Sequence, residues 1–422
     1  MDQFIDDLYA KRASVREASL TSITYGLTVN YCSQFVEKNF ATLLYRCLNS
    51  FKKGSSKEIV LASRALGLLS ITVGCGDNAQ ESYRESLPVL SQALKSTNES
   101  LLLSVIDCLA IVTFVGANDF EETEASMQKI WHFISNSAEN IVKKKHSGSV
   151  LSAAISAWSL LLTTVDSWNL NHHYWKGAIP LFLELLEADD QSVCSSAGEA
   201  IALICEFGCL EKFATNTTID KDSLNNKGKN ILDQDYSLHE LQEIVSNHAK
   251  KLLSRASLES AVTKAMNGYN NFSMNVLEVL ERKASRFPPP HYHRARDGYF
   301  NETTSLKIGK HSLKVHSLSQ LLQINYMKRF LGRGFVLHML ANEFLHDVFD
   351  FTPRKQAGDE LYIAERDEAT IRIFVPETEQ EDFEEDFGRS QKPNKSVFYK
   401  AKTRLLNKQR VIKGEELGTY HE

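Results

Sequence analysis

Leu102–Gly116 reads LLSVIDCLAIVTFVG. Leu102, Val105, Leu109 and Val112 fall at offsets of 0, 3, 7 and 10, which is one face of an α-helix. The same offsets recur four more times, from Val15 (Ala18, Ser22, Tyr25), Ile59 (Ala62, Leu66, Leu69), Val150 (Ala153, Ala157, Leu160) and Val193 (Ser196, Ala200, Leu203). The five anchors are spaced by 44, 43, 48 and 43 residues. Between them lie second helical patterns at Phe40–Leu48, Leu87–Leu94, Ile130–Ile134 and Ile179–Leu186. Glycines at Gly74, Gly116 and Gly208 follow three of the anchor helices, where a left-handed cap favours glycine. A period in the forties with two or three helices per unit is the signature of HEAT or armadillo arrays. Small residues at the +3 and +7 positions allow neighbouring helices to approach closely. Each repeat then buries its apolar face only against its neighbours, and the stack presents a long surface suited to binding partners.

Working outward, the array is expected over residues 1–284, with a polar loop at about 214–236 (Asn-, Asp- and Lys-rich). Three prolines, Pro288–Pro290, stop the helical pattern, and 285–305 reads as a Pro/His-rich linker. His291 and His293 form a His-x-His pair, but no third ligand accompanies them and a surface loop is the simpler reading. Residues 306–353 hold two helical patterns separated by Gly332-Arg333-Gly334, and are expected to cap the open end of the array. Asn342, set among apolar residues, reads as a structural hydrogen-bonding group. Leu361–Ile363 and Thr370–Val375 suggest a short hairpin within 354–388, followed by the acidic run Glu377–Asp386. The last segment, 389–422, is a basic helix and tail. The fold class is therefore all-α, a HEAT/armadillo-like α-solenoid with a C-terminal helical cap and a charged tail ending in a basic helix.

The chain has 422 residues, of which 43% are hydrophobic and 24% charged, with a net charge of −5. Nucleic-acid binding by the whole chain is excluded by that charge, so any such binding is local. Arg389–Lys413 is where it concentrates: nine Lys and Arg and no acidic residue. Phe398, Ala401, Leu405 and Ile412 give it one narrow apolar stripe, too little surface to build a core. It reads as a helix made to lie on something acidic, with ribosomal RNA the lead partner; a protein partner and a merely solvated tail are the alternatives. The residues expected to touch RNA are Lys395, Lys400, Lys402, Arg404, Lys408, Arg410 and Lys413. A secondary basic patch is expected from Arg294, Arg296, Lys328, Arg329 and Arg333. The adjacent acidic run would cover the basic helix until RNA displaces it.

The seven cysteines include no Cys-x-x-Cys pair and read as buried free thiols in a reducing compartment. Asn-x-Ser/Thr matches at Asn98, Asn216 and Asn301 are then accidental. The first residues show no basic-then-apolar signal pattern, and no uninterrupted apolar window of about 18 residues suggests a membrane span. No phosphate-binding loop, dinucleotide fingerprint, Gly-x-Ser-x-Gly elbow or His-Glu-x-x-His helix occurs. The expectation is a non-enzymatic protein with no cofactor, metal, membrane or small-molecule substrate.

Three stretches resemble the interferon-related developmental regulator family. Tyr9–Leu20 opens the array as the family does. Tyr326–Phe349, YMKRFLGRGFVLHMLANEFLHDVF, looks like its C-terminal block, with a Leu-Gly-x-Gly turn and the Asn-Glu-Phe-Leu run at Asn342–Leu345. Ser396–Arg404, SVFYKAKTR, is similar to its basic Phe-Lys-Ala-Arg-Thr-Lys ending. The resemblance implies a helical-repeat protein without catalytic activity. Members are described as transcriptional co-regulators that act with other proteins, and one binds translationally inactive ribosomes with its C-terminal helix in the channel used by transfer and messenger RNA. Carried over by position, that helix is Ser396–Ile412, and Lys400, Lys402 and Arg404 match its basic positions. The chain departs in its Pro- and His-rich Ser285–Tyr299, in its acidic run, and in starting close to the first repeat, as a plant-like or shortened member would. The resemblance favours a ribosome-binding translational regulator; the alternative is a repeat scaffold with protein partners on its groove, acting as a transcriptional co-regulator. A cytoplasmic location is expected, with nuclear entry open to a Lys/Arg-rich segment.

Overall fold

The computed structural model describes residues 2–139, 147–165, 175, 177–207 and 304–353. Its first part is helical throughout: α1 (Asp2–Asp7), α2 (Ala13–Val29), α3 (Ser33–Lys53), α4 (Ser56–Val73), α5 (Asp77–Ala93), α6 (Glu99–Gly116), α7 (Phe120–Glu139), α8 (Gly148–Leu162), α9 (Ala178–Leu185) and α10 (Gln191–Phe207). The even-numbered helices pack on one another in sequence, α2 on α4, α4 on α6, α6 on α8 and α8 on α10. The odd-numbered helices form a second row, with α3 against α4 and α5, α5 against α6, and α7 against α8. This is the alternating two-row stack of a helical solenoid. Local signals set the helix starts: the Ser55 hydroxyl accepts from the Glu58 N–H, and the Asn98 side chain accepts from the Leu101 N–H at 3.1 Å.

Helix α6 lies between α4, α5 and α8, so it is apolar on nearly every side, Asp107 being the exception in its middle. On length and composition it could cross a membrane, but most of it is buried inside the array. The anchor faces of α4, α6, α8 and α10 point into the core, as their spacing predicts. The first repeat differs. Leu20, Ile23 and Leu27 are the buried face of α2, while Ala18 is exposed and Tyr25 is 67% exposed. The physical reason is position: α2 ends its row and has an even neighbour on one side only. Gly74 does cap α4, with φ +70°. Gly116 does not act as a cap; it ends α6, and a Cβ there would lie 2.2 Å from the Ala79 carbonyl oxygen of α5.

Two polar and aromatic clusters fix the rows. The Arg16 guanidinium grips buried Glu58 through Nε and Nη2 at 2.9 and 2.8 Å, and the Ser50 hydroxyl donates to the same carboxylate, tying α2, α3 and α4. Burial pushes the Glu58 carboxyl up, but these hydrogen bonds outweigh it and hold the group below its ordinary range. Farther along, Trp131, Trp158, Trp175 and Phe182 pack edge-to-face or tilted at 5.4–6.0 Å. Trp175 Nε1 donates to Glu124 at 3.1 Å. Cys47, Cys75 and Cys108 are buried thiols in no disulfide, and Cys32 and Cys194 are half-buried. Burial pushes the Cys47 thiol up to about 12. The side chains of Cys205 and Cys209 lie outside the described residues.

Residues 304–353 correct the sequence reading in three ways. They open with an antiparallel hairpin, β1 (Thr304–Ile308) and β2 (His311–Val315), straddling the boundary drawn between linker and helical block. Ile308, Leu313 and Val315 alternate inward, and Gly309 supplies the positive φ (+59°) at the first position of a two-residue turn. Second, the pattern read as one helix after the Gly-Arg-Gly turn is two. After α11 (Leu318–Leu331) and a 3₁₀ turn (Gly332–Gly334) come α12 (Phe335–Ala341) and α13 (Glu343–Phe349). Asn342 separates the last two, because its side chain accepts from the Phe344 N–H at 3.0 Å and starts a new helix. Third, the block does not sit over the end of the array. It runs lengthwise along the even row. The hairpin expected at 361–375 lies outside the described residues.

Candidate interaction surface

The strap, residues 318–349, crosses the even helices in reverse order, with a polar or steric staple at each one. At α10, Glu206 accepts from the Leu318 and Ser319 N–H groups at 3.0 and 3.1 Å and from the Ser319 hydroxyl at 2.8 Å. A carboxylate at a helix N-terminus satisfies orphan donors and meets the positive end of the dipole. At α8, Gln323 donates to the Thr163 hydroxyl at 2.9 Å. At α6, the Tyr326 hydroxyl and Arg329 Nη2 both donate to one oxygen of Asp107 at 2.8 Å. At α4, the Phe330 ring lies over Gly67, where a Cβ would come within 2.5 Å of it, and the Arg64 guanidinium stacks 4.1 Å from its centroid. At α2, Gly334 meets the Thr28 carbonyl so closely that a Cβ would lie 1.8 Å from the oxygen.

The chain then turns back along the same helices. His338 Nε2 lies 2.9 Å from the Leu27 carbonyl oxygen, and Asn342 donates to the Ile71 carbonyl at 2.8 Å. Phe344 packs against Gly74 and edge-on to Phe114. His338 is fully buried, and burial lowers its pKa, so the ring is neutral with its Nε2–H donating to Leu27. Burial raises the Tyr326 hydroxyl far above its ordinary value, with the Asp107 charge adding to it, which keeps the proton it donates. Burial also pushes Glu199, two turns before Glu206 on α10, up to about 7, against the pull of Arg329.

The sequence-predicted site residues divide accordingly. Lys395, Lys400, Lys402, Arg404, Lys408, Arg410 and Lys413 lie outside the described residues, as do Arg294 and Arg296. Of the secondary patch, Lys328 and Arg333 are exposed on the strap. Arg329 has a different role from the one expected: its guanidinium is committed to Asp107 and to the Tyr326 ring, 4.5 Å away. Asn342 is the structural group the sequence suggests. Asp107, Glu199 and Glu206 were not singled out. Their signal was there, a charge in each otherwise apolar helical face, LLSVIDCLAIV and SSAGEAIALICEF. Among the described residues no cluster of His, Cys, Asp and Glu could hold a metal ion.

A family model described as interferon-related developmental regulator matches residues 1–261. The chain belongs to the interferon-related developmental regulator family. Interferon-related developmental regulator 2 of Mus musculus is 25% identical over 358 residues, covering 83% of this chain and 72% of the relative. Interferon-related developmental regulator 1 of Homo sapiens is 23% identical over 366 residues, covering 83% and 70%. Among solved structures, a designed armadillo repeat protein, YIII(Dq)4CqI, is similar at 14% identity and a TM-score of 0.40, covering 67% of this chain and 98% of that one. Another, YIII(Dq.V1)4CPAF in complex with peptide (KR)4, matches at 14% identity and a TM-score of 0.41, with the same coverage. The family is thus represented here by a helical-repeat scaffold whose even row is strapped by its own C-terminal block.

Proposed function

We propose that this family member is a non-enzymatic, ribosome-binding translational regulator whose segment 389–413 contacts ribosomal RNA. The observation that carries this reading is the strap. The even-row surface along which a solenoid could seat a partner peptide is filled by residues 318–349, so a competing peptide must break the staples at five helices. The cationic segment beyond it has nine Lys and Arg and no acid with which to pair internally. Such a segment releases counterions from phosphate on binding, and its affinity falls steeply with salt. Residence in the cytoplasm, where ribosomes are, is part of the same proposal.

The test is co-sedimentation of the purified chain with ribosomes at low ionic strength. Lys400→Glu with Arg404→Glu should abolish it with an unchanged helical circular dichroism spectrum. Persistent co-sedimentation of that variant would refute the reading. A second reading, a scaffold for protein partners in transcriptional regulation, is favoured by one feature of the odd row. An open hollow of about 420 Å³ on α3 is lined by Tyr9, Tyr45, Arg46 and Asn49. Tyr9 and Tyr45 are exposed, and Arg46 stacks 3.3 Å from the Tyr9 centroid. Comparing what the full chain and a 1–388 form capture separates the two, since partners of the hollow survive the truncation and ribosomes do not.

A further inference from the structure

Helix α12 buries Phe335, His338 and Met339 against the array and turns Val336, Leu337 and Leu340 outward. These three are 40%, 37% and 36% exposed, and they are the exposed large aliphatic side chains among the described residues; the other exposed large hydrophobics are Tyr9, Tyr25 and Tyr45. They are contiguous, and the hairpin turn extends them. A Cβ on Gly309 would touch Val336 at 3.5 Å and Leu340 at 3.8 Å. The exposed charges of the hairpin and those just before α12 are basic. Lys310 sits in the turn, Lys307 and Lys314 lie on the exposed face of the hairpin, and Arg333 precedes Val336 by three residues. Glu343, past the Asn342 break, is the nearest acid in sequence. An apolar patch with a basic rim selects an acidic segment that also carries large apolar side chains.

The chain supplies one. It leaves the described block at Pro353, beside the hairpin, where the Phe351 ring packs against His311 and His346 at 6.2 and 6.0 Å. Glu377–Phe387 reads ETEQEDFEEDF, seven acidic residues with Phe383 and Phe387 four apart. The 23 residues from 354 to 376 span up to about 75 Å when extended, ample reach from Pro353. The other nearby candidate, 389–413, has the same sign of charge as the rim. We propose that Glu377–Phe387 docks in cis on this patch, placing Phe383 and Phe387 on Val336, Leu337 and Leu340 and its carboxylates toward Lys307, Lys310 and Arg333. The acidic run is then held by the strap rather than by the basic segment that follows it, which stays uncompensated. This placement stands independently of ribosome binding and excludes the covering of 389–413 by the same acids.

The experiment uses the full chain with a benzophenone amino acid in place of Leu337, an exposed position whose replacement leaves the core intact. After irradiation, cross-linked peptides are identified by mass spectrometry. The expected product is intramolecular and joins position 337 to a peptide containing Phe383 or Phe387. Phe383→Ala with Phe387→Ala should lower its yield by about tenfold or more, because two rings leave apolar contact. Lys310→Glu with Arg333→Glu should lower it as well, with circular dichroism reporting that each variant is folded. A main product joining 337 to residues 389–413, a main product joining two copies of the chain, or no product from a folded chain would each overturn the proposal.

Discussion

Asp107→Ala is the sharpest perturbation of the strap. Asp107 sits mid-way along α6 and accepts two hydrogen bonds on one oxygen, from the Tyr326 hydroxyl and from Arg329, each at 2.8 Å. Tyr326 is buried, so removing the acceptor strands its hydroxyl, a cost of about 1–3 kcal/mol. The Arg329 side chain is 46% exposed and that of Asp107 27%, so their ion pair adds about 0.2–1 kcal/mol. Together the substitution should cost about 1–4 kcal/mol. Tyr326→Phe removes only the donor and leaves Asp107 with Arg329, for about 0.5–1.5 kcal/mol. The double variant no longer holds a stranded hydroxyl. It should therefore be less destabilised than the two single costs added together, with a coupling of about 0.5–3 kcal/mol. Urea unfolding followed by circular dichroism gives all four corners of the cycle, and hydrogen exchange across residues 318–331 locates the effect. Strict additivity, or an Asp107→Ala chain whose α11 amides exchange as in the parent, would show that the strap is not held at this point.

Gly334→Ala should cost about 1–3 kcal/mol by overpacking, since φ is an ordinary −81° and the whole effect is the Cβ meeting the Thr28 carbonyl. Faster exchange at both the α2 end and the 3₁₀ turn is the expected signature, and unchanged stability would deny the close approach. Gly332→Ala meets nothing within 4 Å but has φ +54° and ψ −121°, so its cost of about 1–3 kcal/mol is backbone strain and should leave the α2 contact protected. Glu199 gives a pH dependence. With its carboxyl raised to about 7 from the ordinary 4.5, the folded chain keeps a proton that the unfolded chain has lost. Stability should therefore fall as pH rises from about 4.5 through about 7 and level off above. Glu199→Gln should flatten that slope in urea midpoints measured from pH 5 to 8; parallel slopes in both chains would count against it.

How far the fold could be read in advance depended on whether a residue's surroundings were local. The anchor spacing in α4, α6, α8 and α10 marks buried faces correctly, because interior helices of a row have neighbours on both sides and apolar residues must follow the 3.6-residue period. It fails in α2, where Tyr25 and Ala18 face out, because the end of a row lacks the neighbour that the pattern assumes. Gly74 and Gly116 look alike in sequence, yet one supplies a positive φ and the other makes room for the Ala79 carbonyl; only a partner about 40 residues away distinguishes them. Asn342 was legible as a structural group because a polar side chain in an apolar run must find partners. The partner, the Ile71 carbonyl, lies 271 residues away and no local pattern identifies it. The hairpin was missed because SLKIGKHSLKV is short and its alternation is easily absorbed into the linker before it.

The lengthwise strap changes what kind of object the array is. In a solenoid each repeat contacts only its neighbours, so stability is a sum of local terms and either end can unravel first. Here a single segment touches α10 through Glu206, α8 through Thr163, α6 through Asp107, α4 through Gly67 and α2 through Thr28. Fraying of α2 or α10 must therefore break contacts that also hold the middle of the stack. The contacts also join residues more than 100 apart in sequence, from 112 (Leu318 to Glu206) to 311 (His338 to Leu27). Closing such loops is slow and entropically costly, so the strap should add after the helices have stacked. An array braced along one row by residues 318–349 resists bending along its length and leaves its other row open. A peptide laid along the even row would have to displace this strap at each helix it crosses.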